Sequence, residues 1–143
     1  LDEGSPDSLC ATAERDGHQL KILALHLWPP LGPALAHLQH QQVGAVEDLL
    51  GRERDIDVIA GDFNLTPYAH AWRRLVASSG LRDSARGQGF QPTFAGPAGL
   101  FRLPVDQVLH ASRWELVRRT TVEIAGSDHR GVLVDLALIS EGR

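Results

Sequence analysis

A chain of 143 residues, 43% apolar and 22% charged, is long enough for one domain with a substantial core and has the composition of an ordinary soluble globular protein. Its net charge of −4 argues against a general nucleic-acid coat, which needs excess positive charge, but not against a metal enzyme whose acids lower the balance. No apolar run reaches the length of a membrane span and no secretory signal opens the chain; the compartment stays open, with the cytoplasm favoured.

The chain starts at Leu1 rather than Met, which reads as a processed product or a piece of something longer. Residues 1–8 are acidic and turn-rich and are expected to be a loose end. The single Cys10 excludes an internal disulfide or a cysteine metal cluster and is expected to be a small buried residue. Asp16-Gly17 is a two-residue hairpin signal between strands over 9–15 and 18–27. The second arm, from Leu20 to Leu27, is apolar throughout, which predicts a central strand that Trp28-Pro29-Pro30 ends. Residues 34–50 carry Leu35, Leu38, Val46, Leu49 and Leu50 at a helical period. On that helix His37 and His40 fall opposite the apolar face with no carboxylate at the matching turn, so they read as solvated.

Ile56 to Ala60 is the next buried strand. Thr66-Pro67 then reads as an N-cap followed by proline at the first helical position, opening a helix from Pro67 to Ser79 with Tyr68, Ala71, Trp72, Leu75 and Val76 inward and Gly80 as its stop. Residues 82–103 are rich in Gly, Pro and Arg, with a short strand around Gln91 to Phe94. Val105 to His110 and Glu115 to Ile124 read as paired strands, and Gly131 to Ile139 as the last strand, with Val132, Val134, Leu136 and Leu138 on one face. Interleaved strands and helices predict a layered α/β arrangement.

Four groups of reactive side chains fall where strands meet loops: His26; Asp62 with Asn64; Asp106; and Asp128 with His129. In an extended chain positions 62 and 64 point the same way, so Asp62 and Asn64 emerge together, one to handle a water proton and one to hold an oxygen without adding charge. Ser127-Asp128-His129 is not a nucleophilic triad, because adjacent residues cannot line up head to tail as nucleophile, base and orienting acid. The thirteen Arg against one Lys suit bidentate phosphate contacts, or simply reflect coding composition.

Gly61-Asp62-Phe63-Asn64, Pro104-Val105-Asp106-Gln107-Val108-Leu109 and Ser127-Asp128-His129-Arg130, with Leu25-His26-Leu27-Trp28-Pro29-Pro30 upstream, closely resemble the C-terminal half of the endonuclease/exonuclease/phosphatase superfamily. The resemblance runs from about residue 9 to 139, and the Trp-Pro-Pro and Thr-Pro-Tyr contexts are similar to those of bacterial members. It implies a DNase I-like fold, a layered β-sandwich flanked by helices, and a Mg²⁺-dependent (or Mn²⁺-dependent) phosphoesterase acting on a nucleic acid, lipid headgroup or sugar phosphate. It also implies the roles. Asp128 would ligate or approach the metal, and His129 would sit against the scissile phosphate or its attacking water. Asp106 would orient His129, Asp62 would position or deprotonate water, Asn64 would hold that water or a phosphate oxygen, and His26 would contact the phosphate. Gln107 departs from the family, which often has His or Tyr there, but in a strand it points away from Asp106.

The larger departure is at the N-terminal side. The family's first half supplies an Asn and a metal-binding Glu, and nothing before His26 serves, since Glu3 and Glu14 lie in a turn-rich end and at the hairpin. Residues 1–143 are therefore expected to form one partial domain, the C-terminal portion of the family fold, with a missing N-terminal segment or another chain completing the sheet. Turnover by these residues alone is expected to be weak or absent. The competing reading is a non-catalytic binding or assembly module that keeps the scaffold. A calcineurin-like metallophosphatase is disfavoured because it needs a later Gly-Asn-His and further metal histidines.

Overall fold

A computed structural model of the chain describes residues 5–96 and 101–139. Asp16 and Gly17 both adopt positive φ (53° and 76°), the pair of left-handed residues that a tight hairpin needs. They join β1 (Asp7–Arg15) to β2 (His18–His26) in register. Proline at its first turn starts α1 (Pro33–Arg52). Then come β3 (Val58–Asp62), α2 (His70–Ser79), β4 (Arg82–Asp83), β5 (Phe94–Ala95), β6 (Arg102–Leu103), β7 (Asp106–His110), β8 (Trp114–Glu123) and β9 (Arg130–Leu138).

Five strands make one sheet in the order β1-β2-β3-β7-β4, with β2 and β3 parallel and the other neighbours antiparallel. β8 and β9 form a long second hairpin, and β5 and β6 a short one. Alternate residues of the central strands, Leu23, Leu25, Ile59 and Leu109, pack under the helices against Val43, Val46, Leu50, Trp72 and Leu75. Phe63 joins the same core, its ring edge-on to Trp72 at 5.0 Å. The opposite face of the sheet meets the β8–β9 hairpin. Buried Asp57 joins the two layers, accepting hydrogen bonds from Lys21 N (2.9 Å), Trp114 Nε1 (3.0 Å) and the Arg113 guanidinium.

Several expectations are corrected. Residues 105–110 and 115–124 do not pair: β7 joins the main sheet between β3 and β4, and β8 pairs with β9. Cys10 is exposed, because β1 is an edge strand uncovered along its whole length. Asp7 and Ser8 belong to β1 rather than to a loose end, whereas Glu3 lies outside the described residues. The second helix begins at His70, not Pro67, because the Ala69 N–H bonds the Thr66 carbonyl (3.0 Å) and closes a turn. Tyr68, left outside the helix by that turn, is exposed rather than inward. The buried face of α1 is centred on Gln39, Gln42, Val43, Val46 and Leu50, with Leu35, Leu38 and Leu49 at its margins.

His37 and His40 are exposed, and Gly80 ends α2 in the left-handed conformation. Among the described residues no helix is long and apolar enough to cross a membrane.

Candidate active site

Strand register builds most of the site. His26 is the parallel partner of Asp62 and Asp106 is its antiparallel partner, so the three stand in one row across β2, β3 and β7. Register partners point to the same face of a sheet. That row can form because Gly61 has φ 150°: a Cβ there would lie 1.8 Å from the Leu25 carbonyl oxygen, so only glycine lets β3 approach β2 at this point.

Asn64, two residues beyond the row, takes a left-handed φ of 49°. Its backbone N–H donates to Asp62 Oδ1 (2.8 Å), and its side-chain amide donates to Asp62 Oδ2 (3.2 Å) and to the Leu27 carbonyl (2.8 Å). Asn64 therefore fixes the rotamer of Asp62 and ties it to the end of β2. Beneath this turn the buried amide of Gln39, on α1, donates to the carbonyls of Phe63 (3.3 Å) and Asn64 (3.1 Å).

His129 enters from the second layer, one residue before β9. Its Nδ1 lies 2.9 Å from Asp106 Oδ2 and its Nε2 lies 3.9 Å from Asp62 Oδ2. Its backbone bridges to Phe94, whose ring is 4.9 Å from the imidazole, and its N–H donates to Ser127 Oγ (3.0 Å). His26 Nε2 is also 3.9 Å from Asp62 Oδ2, with its side chain mostly in solvent. Asp128 stands apart from this cluster: it is exposed, and its carbonyl accepts the Ala95 N–H (3.0 Å).

The electrostatics follow from the crowding. Burial pushes the Asp62 carboxyl above its ordinary range and the charge of Asp106 adds to that, against the Asn64 hydrogen bond and the two histidines. Burial alone would lower the His129 pKa. The hydrogen bond to Asp106, with the charges of Asp106, Asp62 and Asp128, outweighs it and leaves the imidazole raised. Asp62, Asp106 and His129 each offer a ligand atom within 4.8 Å of one another. Two converging carboxylates, one of them held against its own charge, are a donor set that fits a hard divalent cation.

Four contributors gave no clear signal in the sequence. Gln39 falls in the apolar stripe of α1, where a glutamine reads as an interruption. Fully buried Thr93 accepts the backbone N–H groups of Val105 (3.1 Å) and Asp106 (3.0 Å) at its Oγ1, fixing the start of β7; the only hint was its place in a short predicted strand. Arg102 and Arg130 line a cavity of about 280 Å³ beside His129 and Asp128, but thirteen arginines gave no means of choosing them. Gln107 is buried away from Asp106, donating to the Pro104 carbonyl (2.6 Å).

Residues 4–129 match the model of the endonuclease/exonuclease/phosphatase family. A solved endonuclease/exonuclease/phosphatase from Beutenbergia cavernae is similar over 93% of this chain and 39% of its own, with 25% identity and a TM-score of 0.75. A mannosyl-6-phosphatase from Bacteroides thetaiotaomicron is similar over 86% of this chain and 53% of its own (18% identity, TM-score 0.65). The human Nocturnin catalytic domain, solved with a sulfate anion, is similar over 92% and 53% (17% identity, TM-score 0.67). The chain thus spans between about two fifths and just over half the length of these structures. No curated protein sequence matches it significantly.

Proposed function

The chain belongs to the endonuclease/exonuclease/phosphatase family, whose DNase I-like fold it shares, and on that premise we propose that it supplies the acid–imidazole half of a divalent-metal-dependent phosphoesterase site. The observation that carries this reading is His129, bonded to Asp106 through Nδ1 with Nε2 turned toward Asp62. A carboxylate on Nδ1 fixes the tautomer and favours the imidazolium, whose Nε2–H can then donate to a phosphoryl oxygen as charge builds there. Asp62, its carboxyl raised by burial and by Asp106, is placed to take a proton from an attacking water. Asn64 holds that carboxylate in place, and exposed His26 meets the phosphate from the other side.

Mg²⁺ or Mn²⁺ would be held by the carboxylates of Asp62 and Asp106, with Asp128 on the adjoining exposed loop, and would neutralise phosphate charge. Arg102 and Arg130, in the cavity beside His129, suit a bound phosphate ester. β1 is exposed along its nine residues, an edge suited to further strands from the same protein or from another chain. With those strands would come the remaining metal ligand, so the 143 residues alone would turn over weakly.

The test is hydrolysis of bis-p-nitrophenyl phosphate and p-nitrophenyl phosphate with Mg²⁺, by the chain alone and by the whole protein that carries it. Asp62→Ala and His129→Ala should each lower turnover by the whole protein roughly a hundredfold or more. Activity indifferent to both substitutions would overturn the assignment, as would Mg²⁺-independent turnover.

A further inference from the structure

Away from the acid–imidazole cluster, a cavity of about 560 Å³ opens between α2 and residues 83–91. That is within the size range of small-molecule sites, roughly 300–1,000 Å³. Its inner wall includes Trp72, while Tyr68 and Phe90 reach it with most of their rings in solvent. Such exposed aromatics beside a cavity offer faces on which a flat ring can stack.

Arg119 lies in the wall and is only 4% exposed. It donates to Gln91 Oε1 and to the Asp106 carbonyl (3.4 Å), and its Nε has no partner among the described residues. None of the ion pairs among the described residues includes it. Burying a cation without a paired anion is costly. Arg73 and Arg86 add two more guanidinium groups to the lining, against one carboxylate, Asp83. Asp83 is already engaged, accepting from Trp72 Nε1 (3.3 Å) and from Ala85 N (2.8 Å).

We infer that this cavity is a binding site for a ligand that joins a flat aromatic ring to a phosphate, the chemistry of a nucleoside monophosphate. The ring stacks on Tyr68 and Phe90, and the phosphate meets the excess guanidinium charge. A purely apolar ligand would leave Arg119 unpaired, and a bare anion would leave the aromatic faces in water. The site adjoins the catalytic cluster through the chain, since Pro67 and Pro104 line it and lie three residues after Asn64 and two before Asp106. Binding there does not depend on hydrolysis.

The probe is adenosine 5′-monophosphate, titrated calorimetrically into the protein with EDTA present. It should bind at least about tenfold more tightly than adenosine or inorganic phosphate, a difference of about 1.4 kcal/mol. Phe90→Ala and Arg86→Gln, both at exposed positions, should each weaken it by about fivefold, the scale of one stacking contact or one exposed charge. His129→Ala should leave it unchanged. Equal affinity in wild type, Phe90→Ala and Arg86→Gln would overturn the inference, as would inorganic phosphate binding as tightly as the nucleotide, or loss of binding in His129→Ala. Nucleotide binding by a whole protein that hydrolyses no phosphate ester with Mg²⁺ would remove the phosphoesterase reading and leave this one standing.

Discussion

Nδ1 of His129 lies 2.9 Å from Oδ2 of Asp106, although the two residues belong to different β layers. The contact closes the site. β7 brings Asp106 into the row with Asp62 and His26, and the loop before β9 brings the imidazole onto that row. Thr93 fixes the backbone of Asp106 from one side and Phe94 packs on the ring of His129 from the other, so residues 93 and 94 support both partners.

Replacing Asp106 with Asn should lower the pKa of His129, because the hydrogen bond and charge that offset its burial are lost. In the wild type a raised imidazole contributes stability that is fully present below the ordinary histidine value of about 6.5 and is lost as pH rises through the folded-state value. The denaturation midpoint should therefore fall as pH climbs past neutrality, and Asp106→Asn should flatten that slope. Titration of the His129 ring by NMR reads the shift directly. Hydrolysis by the whole protein should drop roughly a hundredfold, the lower end of what general acid–base help supplies. An unchanged His129 titration in the variant would remove Asp106 as its orienting partner.

Metal binding can be read without turnover. A cation that binds only the folded state at a hundred times its Kd stabilises by about 2.7 kcal/mol. Mg²⁺ or Mn²⁺ should raise Tm at neutral pH, where Asp62 and Asp106 oppose one another. NaCl at matched ionic strength should not, and the rise should shrink in Asp62→Ala and in Asp128→Ala. A rise that survives Asp62→Ala but disappears in Asp128→Ala would move the ion off the Asp62–Asp106 pair and onto the exposed loop.

Gly61→Ala should be among the most damaging single substitutions in the chain. The added methyl would sit 1.8 Å from the Leu25 carbonyl, and neither backbone can yield without parting β2 from β3. A φ of 150° is itself strained for an L side chain. A cost of about 4 kcal/mol or more is expected, in the range reserved for named structural faults. Urea denaturation measures it. A cost below about 1 kcal/mol, within the ordinary range for a point mutation, would show that the strands are not so closely apposed.

Local chemistry made much of this architecture legible. Asp16-Gly17 declares its hairpin and Gly80 its helix stop, because each signal is complete within a few residues, while the apolar run from Ile56 to Ala60 announces a strand that runs two residues later, over Val58–Asp62. Asp62, Asn64, Asp106 and His129 could be singled out because reactive side chains at strand ends recur in motifs. What sequence could not give was pairing at a distance. Nothing between Val105 and His110 says that β7 pairs with β3, more than forty positions earlier, rather than with the next strand. Tyr68 looked inward by period alone, and a three-residue difference in where α2 starts puts it in solvent. Cys10 looked buried by residue type, but burial depends on what covers an edge strand.

Gln39 makes the sharpest test of how the site is held. A glutamine on the buried face of α1 lowers apolar burial, yet its amide donates to the Phe63 and Asn64 carbonyls beneath the turn that presents Asp62. Gln39→Leu keeps the volume close and removes both donors, leaving two carbonyls short of partners in a largely dry place. The expected cost is about 1–3 kcal/mol, the usual penalty for an unsatisfied buried group. If the bonds only stabilise the fold, kcat per folded molecule should be unchanged at a temperature well below the variant's Tm. If they set the Asn64 conformation, and through it the Asp62 carboxylate, kcat should fall while KM stays the same, and Gln39→Asn, one methylene too short, should not restore it. A variant as stable as the wild type with an unaltered kcat would show that the Asn64 turn holds its left-handed conformation without help from α1.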